Sequence, residues 1–143
     1  MKMYLDDTRE IIQFLRDERA AQGISLRALA TKCGMWLNQI NHILDPTNSP
    51  SLDSIITVGN ALGVTFTTDT SSFYDNTAEE LINILADSRI QQGITTRQLA
   101  EMSGATQCSV SSILSHKVMP RLDTYIRLSQ ALGVELWLYT TRK

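Results

Sequence analysis

Two stretches decide the fold: Ser25-Leu-Arg-Ala-Leu-Ala-Thr-Lys-Cys-Gly34-Met-Trp-Leu-Asn-Gln-Ile-Asn-His-Ile-Leu44, and Thr95-Thr-Arg-Gln-Leu-Ala-Glu-Met-Ser-Gly104-Ala-Thr-Gln-Cys-Ser-Val-Ser-Ser-Ile-Leu114. In each, a hydroxyl residue able to cap a helix precedes a segment carrying Leu-Ala (Leu29-Ala30, Leu99-Ala100), and a glycine follows at the same spacing (Gly34, Gly104). A cap at one end and a residue tolerant of positive φ at the other bound a short helix and turn the chain sharply. A second short segment then ends on Ile43-Leu44 or Ile113-Leu114.

The match extends well beyond these stretches. Shifting the chain by 70 aligns residues 11–68 with 81–138 without a gap, giving 21 identities in 58 positions. Ordinary composition gives roughly 3 to 4 by chance. Gln22-Gly23-Ile24 matches Gln92-Gly93-Ile94, and Pro50, Leu52 and Asp53 match Pro120, Leu122 and Asp123. Ala61-Leu62-Gly63-Val64 matches Ala131-Leu132-Gly133-Val134. Each unit reads as four helices and a strand. Helix 1 opens on a capping box, Asp7-x-x-Glu10 or Thr77-x-x-Glu80, and stops at Gly23 or Gly93. Helix 2 follows Ser25 or Thr95, and helix 3 covers about 36–44 or 106–114. Helix 4 follows Pro50 or Pro120 and stops at Gly63 or Gly133. The alternating runs Val64–Thr68 and Val134–Thr140 read as strands. Lone strands leave backbone groups unpaired, so the two are expected to pair antiparallel across a pseudo-twofold axis. The expected fold is mainly α: two tandem four-helix domains, 1–68 and 77–143, with 69–76 as linker.

Composition narrows the function. Apolar residues make up 43% and charged residues 20%, a globular balance. No apolar run reaches the roughly 20 residues of a membrane span, and Met1 to Asp7 lacks a signal-peptide core, so the expected location is cytoplasmic. Cys33 and Cys108 sit at non-equivalent repeat positions and read as free thiols. No Cys/His cluster has metal-ligand spacing, and no cofactor is expected. His42 and His116 are not repeat equivalents, and no nucleophile–base motif or phosphate-cradling loop is present, so an enzyme is not expected. The net charge of −2 counts mildly against nucleic acid, but from Met102 onward 5 basic residues face 2 acidic ones.

Both stretches quoted above resemble the helix-turn-helix of the lambda-repressor-like, Cro-type family, also called the xenobiotic-response-element family. The strand after helix 4 resembles antitoxin repressors of the HipB type, in which such strands pair across a dimer. The resemblance implies a bacterial or phage DNA-binding transcriptional regulator of repressor type, its partner double-stranded DNA. It also implies roles by position, with the start of helix 3 facing base edges in the major groove. In the second unit those positions are Thr106, Gln107, Cys108, Ser111 and Ser112. Thr96 and Arg97, opening helix 2, and His116, Lys117 and Arg121, in the helix 3–4 loop, are then the phosphate contacts.

The first unit departs from this pattern. Asn38, Asn41 and His42 remain candidate base readers, and Arg27 and Lys32 candidate phosphate contacts, but loop 45–51 has no basic residue. Trp36 and Leu37 stand where bases would be read; neither can donate a bidentate pair, although an apolar side chain can touch a thymine methyl. The second unit is therefore expected to be the stronger DNA reader. The alternative is a protein-interaction module on the same fold, an antitoxin or phage inhibitor of a host system, with Trp36 and Leu37 as the interface to a toxin or host protein. A second copy of the chain is a further candidate partner. The remaining assignments are structural: Asp53 and Asp123 favour the start of helix 4, and Trp137 and Tyr139 are read as core of the strand pair. Arg19 and Arg89 are read as a structural ion pair or a phosphate contact. Cys108 is read as a passive small side chain, with redox sensing as the alternative.

Overall fold

The computed structural model describes residues 2–4, 6–69 and 77–140. The expected linker therefore lies outside the described residues except for Asp69. The chain is mainly helical, in the order β1 (Lys2–Tyr4), α1 (Thr8–Gln22), α2 (Leu26–Cys33), α3 (Leu37–Ile43), α4 (Leu52–Ala61), β2 (Val64–Thr68), α5 (Ala78–Gln91), α6 (Thr96–Ser103), α7 (Gln107–Leu114), α8 (Leu122–Leu132) and β3 (Leu136–Thr140).

Local chemistry sets most of these boundaries. Ser25, Thr95 and Thr106 accept from the backbone N–H three residues on, capping α2, α6 and α7. Thr77 and Glu80 form the expected reciprocal box at α5. At α1 the box is replaced by a simpler cap, because Asp7 accepts from Arg9 N–H at 2.9 Å. Gly34 and Gly104 end α2 and α6 at φ 66° and 77°, the left-handed conformation that a β-carbon disfavours.

Several repeated polar residues act as internal ties. Arg19 and Arg89 each donate to a carbonyl five residues on, Ile24 O and Ile94 O, at 2.8 Å. Neither is ion-paired among the described residues, and these bonds lock the end of helix 1 onto the entry to helix 2. Gln22 donates to Leu62 O at 2.6 Å and Gln92 to Leu132 O at 2.7 Å, so helix 1 also holds the last turn of helix 4 in each unit. These identities recur because the same carbonyls need the same donors.

The strands pair as expected, and the register carries more information than the pairing. β2 and β3 are antiparallel, with Val64 opposite Thr140 and Thr67 opposite Trp137. Thr67 and Trp137 are repeat counterparts, seventy residues apart. A second pair of counterparts, Ser51 and Arg121, forms an antiparallel bridge, with Leu52 N–H donating to Pro120 O at 2.9 Å and Leu122 N–H to Pro50 O at 2.8 Å. A residue facing its own counterpart lies on a two-fold axis, so the two pairs fix the axis at two points. Between them run α4 and α8, which pack across it; α1 packs on α8 and α5 on α4. A helix of ten residues spans ~15 Å, so the bridge and the sheet lie at opposite ends of this shared core.

One strand is absent from the expectation. β1 pairs with the other edge of β3, placing β3 in the middle of a three-stranded sheet. Three residues are too few to display a two-residue period. The sheet also corrects the reading of its aromatics. Leu136, Leu138 and Thr140 point inward, while Trp137 and Tyr139 are half-buried on the opposite face. Tyr4 of β1 covers Trp137, with ring centroids 5.5 Å apart.

Candidate nucleic-acid interface

α7 is anchored by its buried side, Val110 and Ile113, which turns Gln107, Cys108 and Ser111 to solvent and leaves Ser112 half-buried. Thr106, also exposed, has its oxygen engaged in capping Ser109 N–H at 3.1 Å. α3 is anchored in the same way by Ile40 and Ile43, which leaves Asn38, Gln39, Asn41 and His42 exposed. Two of these four are already engaged. Gln39 Oε1 accepts from Trp36 N–H at 2.9 Å, the half of a capping box that the third helical residue supplies. His42 Nδ1 lies 3.1 Å from Asn48 Nδ2. Asn38 and Asn41 are exposed amides with no side-chain hydrogen bond among the described residues. Trp36 is 81% exposed, whereas Leu37 is half-buried, so the expected apolar pair reduces to one indole.

The cations differ between units. Arg27 and Lys32 on α2 are exposed and have no carboxylate within ion-pair distance among the described residues. In the second unit Arg97 pairs with Glu101 at 3.8 Å, and Arg121 with Asp123 at 3.6 Å. The Arg97–Glu101 pair is solvent-exposed and such pairs contribute about 0–1 kcal/mol, so a phosphate can displace the carboxylate, whereas Arg121 is exposed and its partner Asp123 half-buried. Thr96 is half-buried beside Arg97, at the start of α6. Lys117 is exposed and unpaired among the described residues. His116, exposed, takes a left-handed backbone at φ 64°, and its Nε2 lies 2.7 Å from Asn83 Oδ1. Sequence reasoning missed two participants. Asn83, on α5, fixes the His116 ring across 33 residues, which no local pattern signals. Arg127 shares a cleft with Thr106, Ser109 and Arg121, and pairs with Asp123 at 3.9 Å; its spacing of four from Asp123 was the available signal.

Asp123 organises this cluster. Partial burial pushes its carboxyl up, but the Ser49 hydroxyl, Arg121, the Thr124 N–H and Arg127 outweigh that and hold it below the usual carboxylate range. Ser49 Oγ also accepts from Asp123 N–H at 3.2 Å, a contact between the two units. Asp53 instead accepts from Ser54 N–H and the Ser51 hydroxyl, at 2.9 and 2.7 Å. Both carboxylates serve the start of their helices. Cys33 and Cys108 are free thiols; burial pushes the Cys33 thiol up. No helix among the described residues is long and apolar enough to cross a membrane.

A helix-turn-helix family profile matches residues 85–136, from within α5 to the first residue of β3. The chain therefore carries a helix-turn-helix domain of the lambda-repressor-like type over that segment, with α6 and α7 as its two helices. The chain is 38% identical over 52 residues to the HTH-type transcriptional regulator PuuR of Escherichia coli (strain K12), and equally to that of Shigella flexneri. The match covers 36% of this chain and 28% of each relative. No solved structure matches the chain.

Proposed function

We propose that the chain is a sequence-specific DNA-binding transcriptional regulator of repressor type, acting as a covalent pseudo-dimer. Its two helix-turn-helix domains are 1–68 and 77–143, joined by 69–76. The observation that carries this reading is the facing of repeat counterparts at Ser51–Arg121 and Thr67–Trp137. That facing supports reading α3 and α7 as the two recognition helices of one two-fold scaffold, which a palindrome-like operator requires. Half-sites one helical turn apart, roughly 34 Å, are the matching target. The family profile over residues 85–136 and likeness to a named transcriptional regulator over 52 residues support the same reading.

In the second domain, Gln107 reads a base edge, its amide suited to adenine, with Cys108, Ser111 and Ser112 beside it and Thr106 at the helix start. Thr96, Arg97, His116, Lys117 and Arg121 hold the phosphate backbone. The second domain is the stronger reader, and the first contributes a different half-site through Asn38, Asn41, Arg27 and Lys32. The test is duplex binding by the intact chain, with sites selected from a random library. Gln107→Ala is expected to relax preference at one base pair, costing about 1–3 kcal/mol of discrimination. Lys117→Ala is expected to weaken all sequences alike and lower the salt slope by about one. Unchanged selectivity and salt slope in both variants would remove the second domain from DNA recognition.

A further inference from the structure

Trp36 is the most exposed large apolar side chain among the described residues, at 81%. Its indole makes no hydrogen bond or ring contact among them, so the fold makes no use of it. The exposed residues that follow it on α3 are Asn38, Gln39, Asn41 and His42, all amide or imidazole. A protein-binding hot spot needs an apolar surround that excludes water, and α3 offers none. The exposed cations of α2, Arg27 and Lys32, have no carboxylate partner among the described residues. An isolated indole at the head of a helix of exposed amides, with unpaired cations among the described residues on the preceding helix, suits a nucleic-acid groove better than a protein face.

The two-fold relation specifies which part of the groove. Trp36 and Thr106 are counterparts, each immediately preceding its helix. When α7 enters the major groove, the same axis brings α3 to the neighbouring half-site and carries Trp36 in with it. In that groove the apolar group displayed on base edges is the thymine C5-methyl. We propose that Trp36 is a specificity-determining residue of the first half-site and selects thymine through that methyl, with Asn38 and Asn41 supplying the polar contacts around it. The inference rests on the regulator reading and adds to it the base class recognised by the first unit.

The experiment uses the intact chain and the duplex it enriches from a random library. Single thymines in each half of the enriched site are replaced by deoxyuridine, which removes one methyl and changes nothing else. Wild-type affinity is expected to fall about fourfold at one position of the first half-site, the equivalent of one buried carbon. Trp36→Ala and Trp36→Thr should bind more weakly and show no response to deoxyuridine there. Because the side chain is exposed, both variants should keep the wild-type melting temperature. Deoxyuridine sensitivity unchanged in both variants would overturn the proposal. So would an enriched site with only the second half, although the regulator reading would survive. Trp36 variants with intact DNA binding that lose a co-purifying protein would also overturn it and assign the indole to a protein interface. If the wild type enriches no sequence, the regulator reading itself fails.

Discussion

Thr67 of β2 lies directly opposite Trp137 of β3, its own counterpart seventy residues later. The two helical units therefore share one sheet, and neither strand finds its ladder partner within its own unit. Thr67 is buried, as are Phe66 and Leu138, which face each other one position away. Stability is thus joint, because burial on one side of the axis depends on the strand from the other. Leu138→Ala removes a buried side chain at this seam and is expected to cost 2–5 kcal/mol. Thermal unfolding followed by circular dichroism should keep a single transition at a lower midpoint. Two transitions, one of them at the wild-type midpoint, would contradict joint folding.

A packing asymmetry gives a second test. Gly59 lies in the interior of α4, and a β-carbon there would approach Phe66 Cε2 to 2.9 Å and Val64 O to 3.0 Å. The second unit solves the same place differently: Ser129 stands for Gly59 and Leu136 for Phe66, and the Ser129 hydroxyl donates to Ile126 O at 2.8 Å. Gly59→Ala alone is expected to destabilise by about 1–3 kcal/mol through overpacking. In the Phe66→Leu background the penalty should shrink, giving a coupling of about 1 kcal/mol in a double-mutant cycle. Additive effects measured by denaturant unfolding would rule out the aromatic ring as the cause.

The ties of Arg19 and Arg89 are structural and can be separated from DNA binding. Replacing either arginine with Met removes a charged donor to a backbone carbonyl and should cost about 1.5–3 kcal/mol of folding stability. The salt slope of DNA binding should not change, since each guanidinium is committed to a backbone carbonyl. A slope reduced by about one with unchanged stability would reassign them to the backbone contact.

Asp123 sets a pH dependence with a definite sign. Its carboxyl is held low in the folded chain, so its stabilisation is present above the ordinary carboxylate value of about 3.9 and is lost as pH falls through the folded value. Asp123→Asn lacks this contribution at neutral pH. The melting-temperature gap between wild type and variant should therefore stay constant from pH 7 to about pH 5 and close below about pH 4. A gap independent of pH down to pH 2 would show that the charge on Asp123 does not matter to folding.

Much of this molecule was legible in the chain because the repeat prints its local physics twice. Ser25 and Thr95, or Gly34 and Gly104, act through backbone geometry within a few residues, so residue type and spacing suffice to place α2, α6 and their turns. The pairing of β2 with β3 was also readable, since two lone strands must satisfy their ladders somewhere. Tertiary structure alone decided what depends on contacts distant in sequence. β1 exists because the free edge of β3 accepts three residues that show no pattern of their own. Arg19 and Arg89 turned out to serve carbonyls, because the positions of those carbonyls are set by how helix 1 meets helix 2. The same holds for exposure: Trp36 and Leu37 are adjacent and both apolar, yet one indole stands in solvent while its neighbour is half-buried. The sequence determined the self-match of 11–68 with 81–138 and, through it, the caps and turns that recur in both stretches. Which side chains the fold leaves exposed depends on how Ile40 and Ile43 seat α3, and Val110 and Ile113 seat α7, against neighbouring helices, contacts that residue order alone does not state.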